Sequence, residues 1–357
     1  MKKFISLFWA VCIALPLFAQ ERGKIDVPDL KGYVTLKCDF HMHTVFSDGL
    51  VWPTVRVDDA YTEGLDAISI TEHLENRRYV YDLSITHNRS YDIALPVANE
   101  KGIILIKGSE ITRAMPPGHH NAIFLTNSDE LANKPDYMDA FRAAKAQNAF
   151  IFWNHPGWDR QQPDTTRWFD EHTKLLEQGM MHGIEVVNGQ YYPEAHRWCM
   201  EKNLTLIGVS DVHQPLQTHY AAGKLRAMTL VFARSRTAEA IHEALKERRT
   251  AILFGEDVIG EEKYLKELFE NALEWKMEKT GNNVNITVRN KSDLTFRLKK
   301  TSHDARLVYF RNFTIRPRSI HTFTITLQDN ITGGDVNFSV ENFLVQPNEG
   351  MKYTIKI

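Results

Sequence analysis

Cysteine is scarce in this sequence. Three occur in 357 residues, and Cys12 falls inside an apolar N-terminal run. Cys38 and Cys199 remain, too few and too far apart for a disulfide framework. Both lie beside apolar patterns and read as buried free thiols. Net charge is nearly absent too: 43 Lys and Arg against 45 Asp and Glu give −2. The basic footprint of a protein that grips long nucleic acid is therefore missing. Past residue 20 no run is apolar enough to span a bilayer. Repeats and low-complexity tracts are missing as well. A composition of 43% hydrophobic and 25% charged residues excludes wholesale disorder, collagen and a coiled-coil rod.

The one long apolar run is at the start. Met1-Lys2-Lys3 precedes the stretch from Phe4 to Phe18, and Ala19-Gln20 follows. A short basic segment, a brief apolar core and a small residue form a signal-peptide pattern over 1–19, with cleavage near Ala19. The expectation is an exported protein, periplasmic or secreted, without stable membrane insertion. Trp9-Ala10-Val11-Cys12 makes a poor lipoprotein site.

What is abundant is histidine. There are 15, twelve of them between His41 and His219. Imidazole is the commonest metal ligand and the usual acid–base group near neutral pH. From 34 to about 255, short apolar runs alternate with helical patterns. Strands are expected at 34–40, 66–71, 103–107, 122–125, 149–153, 183–187, 205–209, 227–232 and 251–254. Helices are expected from Pro53 to near Gly64, and at 136–147, 168–178, 193–202 and 237–248. This alternation predicts an α/β domain with a parallel sheet, closed into a barrel of seven or eight units. After one more helix at 261–273 the pattern changes. Six short strands at 283–289, 295–299, 305–310, 322–327, 335–340 and 353–357 alternate apolar with polar residues, as in a small β-sandwich. The domain reading is a barrel over 30–258, a connecting helix over 259–277 and a sandwich over 278–357.

The chemistry sits where the first set of strands ends. In Asp39-Phe40-His41-Met42-His43, residues two apart share a strand face, so His41 and His43 present their imidazoles together. The same placement recurs in Thr71-Glu72-His73, Gly108-Ser109-Glu110, Asn154-His155-Pro156 and Ser210-Asp211-Val212-His213. In α/β barrels the C-terminal strand ends carry the active site. Core packing alone does not place metal-type residues at the exits of five separate strands.

These segments, with Thr44 and Ser47-Asp48-Gly49, resemble the polymerase and histidinol phosphatase (PHP) family in content and order. The resemblance covers about 34–255. It implies a distorted (β/α)7 TIM-like barrel with a trinuclear metal centre that hydrolyses phosphate esters. The ligands it implies are His41, His43, Asp48, His73, Glu110, His155, Asp211 and His213, with Glu110 bridging. A ninth, a histidine, is expected in Gly118-His119-His120; His119 is favoured and His120 held in reserve. Six nitrogens and three carboxylates without a thiolate suit three divalent ions of Zn, Mn or Fe. Three ligands per ion leave positions open for water or substrate. Water activated between the ions would attack phosphorus, so no protein nucleophile is needed.

Arg77, Arg78, Arg113 and Arg160 follow the ligand segments and are candidates for gripping a substrate phosphate. His219 and His87 are candidates for the leaving-group acid. The expected partner is a small phosphate ester, a diester before a monoester, and no long nucleic acid. Two rivals remain: an amidohydrolase-type metal hydrolase, which also begins with His-x-His, and a non-catalytic PHP-like envelope-binding protein.

Overall fold

The computed structural model describes residues 21–357. The expected signal peptide lies outside the described residues. No helix among the described residues is long and apolar enough to cross a membrane.

The strands in chain order are β1 Val34–Asp39, β2 Ala67–Ile70, β3 Ile104–Ile111, β4 His120–Ile123, β5 Phe150–Trp153, β6 Gly183–Asn188, β7 Thr205–Val209, β8 Ala227–Ala233, β9 Thr250–Phe254 and β10 Asp257–Gly260. Next come β11 Leu273–Thr280, β12 Asn283–Asn290, β13 Phe296–Lys300, β14 Leu307–Val308, β15 Asn312–Ile315, β16 Ile320–Leu327, β17 Asp335–Gln346 and β18 Glu349–Lys356. The helices are α1 Pro53–Thr62, α2 Arg89–Lys101, α3 Tyr137–Ala146, α4 Asp170–Glu177, α5 Pro193–Lys202, α6 Leu216–Ala221, α7 Ala238–Lys246 and α8 Glu262–Ala272.

Local chemistry sets the helix starts. Pro53 opens α1 in the first turn, where its missing N–H costs nothing. Asp136 caps α3 by accepting from Met138 N, and Thr237 caps α7 by accepting from Ala240 N. Helix α2 was not expected from sequence. It carries Pro96 inside, and only Ser90, Ala94 and Ala98 are buried. Small residues four apart leave little hydrophobic signal.

One hydrogen-bonded path of strands runs β15-β13-β17-β10-β9-β8-β1-β2-β3-β4-β5-β6-β7, with β18 paired to β17. The sheet is not uniformly parallel, as the alternation had suggested. Pairs β1–β2, β2–β3, β5–β6 and β6–β7 are parallel, while β4 runs antiparallel to both β3 and β5. A return from β3 to β4 needs only a loop, so no helix lies between them. Strands β8, β9 and β10 are also antiparallel to their neighbours in this part of the path.

The path turns back on itself. Beyond β7, Val212 bridges Met42 in parallel, and Asp211 N donates to His41 O. Strand β7 also binds β8: Gly208 N donates to Thr229 Oγ1, and that hydroxyl donates to Gly208 O. A Cβ on Gly208 would lie 2.2 Å from Ile252 Cγ2, so β7 can press this close only with glycine there. Phe40, Ile106, Phe150, Phe152, Ile207 and Val209 form one buried cluster between these strands. Cys38 and Cys199 are free and buried, and burial pushes both thiols well above their ordinary pKa.

The C-terminal domain is a β-sandwich. One sheet is β11-β12-β16-β14, and the other is built from β15, β13, β17 and β18. Helix α8 ends at Ala272, and Leu273 already begins β11, so this helix is shorter than the span 259–277. Strand β10 pairs in parallel with β17 through Val258–Phe343 and Ile259–Leu344, joining the two domains in one sheet. Phe269 on α8 packs on Phe296, Phe338 and Tyr353, which seals that seam.

Candidate metal centre

The ends of β1, β2, β3, β5 and β7, with the residues just before β4, converge on one buried spot. Glu110 near the end of β3 stands at its middle and is fully buried. Its Oε2 lies 3.3 Å from His41 Nε2, 3.2 Å from His43 Nε2 and 3.0 Å from His73 Nδ1. Its Oε1 lies 2.7 Å from His119 Nδ1 and 3.8 Å from His155 Nε2. Asp211 Oδ1 lies 3.2 Å from Nε2 of both His41 and His43, and 3.5 Å from His213 Nδ1. Asp48 Oδ1 lies 3.4 Å from His73 Nε2 and 3.2 Å from His213 Nε2. All nine residues singled out from sequence thus meet in one cluster.

Adjacent histidines part ways here, because neighbouring residues of a strand face opposite sides. His119 turns to Glu110. His120 turns into the core, edge-on to Phe141 and stacked with Trp153. Burial and the neighbouring His172 push the His120 pKa well below its ordinary value.

The donor set fits divalent cations. Three groups bring ligand atoms within 4.8 Å of one another: His43, Asp48, His73 and His213; His41, His43 and Asp211; and His73, Glu110 and His119. Asp48 Oδ1, both Glu110 oxygens, His119 Nδ1 and Asp211 Oδ1 are buried without a hydrogen-bond partner, despite those short approaches. Such atoms are costly to bury unless something positive takes their lone pairs. Charge points the same way. Burial opposes ionisation of Glu110, but His73, His119 and His41 outweigh it and hold the carboxyl well below its usual range. Burial opposes protonation of His73, yet Glu110 and Asp48 carry its pKa up to about 10. The carboxylates draw positive charge, which metal ions supply in a site rich in nitrogen and oxygen.

The inner imidazoles are oriented from behind. His41 Nδ1 donates to Glu185 Oε1 at 2.6 Å, His43 Nδ1 to Ser47 Oγ at 3.2 Å and His213 Nδ1 to Asp211 O at 2.8 Å. Each bond leaves Nε2 facing the cluster with its lone pair free, the arrangement metal-bound histidines use. Glu72 accepts from the hydroxyls of Thr44 and Ser47, completing a line from His43 through Ser47. Arg56 on α1 is fully buried and donates to three carbonyls, those of His43, Val212 and Gln214, locking the exits of β1 and β7 together. Asn154 Nδ2 donates to Asn121 Oδ1, tying the β5 exit to β4. Sequence reading missed Glu185, Arg56 and Glu72 as supports. A lone acid in the apolar strand Gly183–Asn188 was the available signal for Glu185.

The remaining candidates have other partners. Arg77 donates to the carbonyls of Ser84, Ile85 and Thr86, closing its own loop. Arg113 pairs with Glu75 at 3.1 Å and donates to Lys134 O. Arg78 touches the site's loops through its backbone N–H, given to Ser47 O. Arg160 lies over Trp158, whose ring flanks His119 and His155. His87 contacts Arg77, and burial with that charge lowers its pKa to about 4. His219 stands edge-on to Tyr220 on α6, with the Lys224 and Arg226 charges nearby.

Residues 270–356 match the model of an Ig-like domain family. Among curated proteins none matches the chain. A crystal structure from Bacteroides vulgatus, of a two-domain protein containing a predicted PHP-like metal-dependent phosphoesterase, is 56% identical. The match covers 95% of this chain and 100% of that one, with a TM-score of 0.92. A proposed metal-dependent phosphoesterase from Bifidobacterium adolescentis is more distant, at 17% identity, 49% and 87% coverage and a TM-score of 0.40. The chain belongs to the PHP-like metal-dependent phosphoesterases, as a two-domain member whose second domain is Ig-like.

Proposed function

We propose that this protein is a hydrolase of small phosphate esters that works with three divalent ions, Zn, Mn or Fe. The observation that carries the reading is the set of three carboxylates, Asp48, Glu110 and Asp211, each ringed by imidazoles and each with a buried oxygen lacking a hydrogen-bond partner. His41, His43, Asp48, His73, Glu110, His119, His155, Asp211 and His213 would hold the ions. Bound ions would lower the pKa of water and neutralise charge on the phosphoryl oxygens.

The chain's own residues do the rest. Glu110, His41 and His43 have no exposed side-chain surface, whereas Asp48, Asp211 and His213 are 18%, 20% and 31% exposed. The first set is a dry floor, and the second marks the side from which an ester enters. Trp158 walls the site beside His119 and His155 and excludes water there. A phosphodiester is the favoured substrate, with a monoester next. Arg77 and Arg113 are engaged elsewhere, and a monoester dianion has more need of a fixed guanidinium than a diester monoanion. The closed run of strands β1 to β7 is read as the distorted (β/α)7 barrel of this family, and the N-terminal pattern as an export signal.

Metal analysis of purified protein, with hydrolysis of bis(nitrophenyl) phosphate and nitrophenyl phosphate, tests the proposal. About three ions per chain and faster diester cleavage are expected. No bound metal, and no ester hydrolysis after loading with Mn²⁺ or Zn²⁺, would overturn it.

A further inference from the structure

Glu185 is a fully buried carboxylate outside the nine-residue cluster. It sits on β6 between apolar neighbours, where an acid is expensive unless its oxygens are bonded. Both are. Oε1 accepts from His41 Nδ1 at 2.6 Å. Oε2 accepts from the backbone N–H of His155 at 2.6 Å and from Asn188 Nδ2 at 2.7 Å. The same Asn188 amide reaches Asp211 Oδ2 at 3.2 Å. One carboxylate thus touches the exits of β1 and β5 directly and that of β7 through Asn188. At β5 it also holds a costly turn, since His155 has φ +28°, in the left-handed region that side chains avoid.

We infer that Glu185 is a positioning residue that selects the His41 tautomer and aligns His41, His155 and Asp211 as one unit, separately from the His43–Asp48–His73–His213 group. The separation is visible in the supports. His43 is backed by Ser47 and Glu72, His73 Nδ1 lies 2.6 Å from Thr112 Oγ1, and Glu185 contacts none of these residues in the described bonds. The inference rests on the reading of the cluster as a metal centre.

The chemistry of Glu185→Gln makes a sharp test. Glu185 accepts three hydrogen bonds and donates none. A glutamine keeps one acceptor oxygen and adds an NH₂. If the oxygen stays with His155 and Asn188, the NH₂ faces His41 Nδ1 and makes it an acceptor. The proton then moves to Nε2, the atom that faces Glu110 and Asp211, and His41 cannot ligate through it. Loss of such a supporting partner lowers metal affinity by about 10- to 100-fold.

The experiment is titration of metal-stripped full chain with Zn²⁺ or Mn²⁺ by calorimetry, with metal counting and the ¹⁵N shifts of the His41 ring. The wild type should bind in resolved classes. In Glu185→Gln one class should weaken by about 10- to 100-fold, the others should hold, and His41 should report the Nε2–H tautomer. Glu185→Asp retains the charge and should recover part of the lost affinity, which a defect of packing alone would not give. Unchanged affinities and an unchanged His41 tautomer in a folded Glu185→Gln protein would overturn the inference. So would equal weakening of every class. A wild type that binds no ion would overturn the metal-centre reading itself.

Discussion

The two domains bury different things. The sandwich interior is hydrocarbon: Ile286, Val288, Phe296, Phe338, Val340 and Phe343 are all fully buried, and its buried polar residues are uncharged, such as Asn290, Ser292 and Asn342. The α/β domain buries charge at its centre, with Asp39, Arg56, Glu110 and Glu185 all inaccessible to solvent. Burying charge is costly unless it is paired or bound to metal. The sandwich therefore reads as a region shaped by stability, and the strand exits of the α/β domain as one shaped by function. Mutations in the two should separate accordingly.

The largest expected effect is on activity. Glu110→Gln or His41→Ala should cut ester hydrolysis by about 10²- to 10³-fold, the scale of losing a key charge-stabilising group. Metal content should fall with it. Retention of full hydrolysis by His41→Ala would break the assignment of the site. The matching change in the sandwich is Phe296→Ala. Phe296 packs on Phe269 and Phe343, with ring centroids 5.2 and 5.0 Å away. Its loss should cost about 3–5 kcal/mol in a denaturant titration, with kcat per folded molecule unchanged. A drop in kcat would show that the sandwich reaches the chemistry.

A smaller, pH-dependent effect comes from His172. It is buried against Trp153, donates from Nε2 to Pro117 O and accepts Phe169 N–H at Nδ1. Burial lowers its pKa from 6.5 to about 4. The folded protein thus refuses a proton that the unfolded chain takes. The contribution is complete above pH 6.5 and is lost as pH falls from 6.5 toward 4, by about 3 kcal/mol at most. Urea titrations across that range should show a shallower slope for His172→Gln than for wild type. An identical slope would mean that His172 takes up its proton in the fold over the same range as in the unfolded chain.

At the seam, Asn342 Nδ2 donates to Glu256 O and Thr295 O, while its Oδ1 accepts Arg297 N–H. Asn342→Ala strands these groups and should cost about 1–3 kcal/mol, with both domains melting less cooperatively. The smallest effect belongs to the exposed Lys276–Glu278 pair, 2.7 Å apart on the outer face of the sandwich. Removing it should not measurably change melting, because water and salt screen such pairs.

Much of the site was legible because its signals are local. His41 and His43 share a face by strand geometry, and His73, Glu110, His155 and Asp211 each follow an apolar run. The sandwich strands showed in the alternation of Asn283–Asn290. Other features left no local trace. Strand β11 was hidden because Leu273–Thr280 is mostly exposed and charged, so it carries little hydrophobic periodicity. Helix α2 was hidden by small buried residues and Pro96. The antiparallel direction of β4 was hidden because a four-residue strand carries no signal of which way it runs.

The sequence by itself determined the ligand types, their order and their exits from strands, since side-chain alternation and apolar runs act over a few residues. It also separated a histidine-rich region from a histidine-poor one. Only the tertiary structure decided which of His119 and His120 faces Glu110, and that Arg77 and Arg113 are engaged elsewhere. It also decided that Glu185, 144 residues from His41, stands behind that ring. Those outcomes depend on strand register and on contacts between distant segments, and no local pattern encodes either.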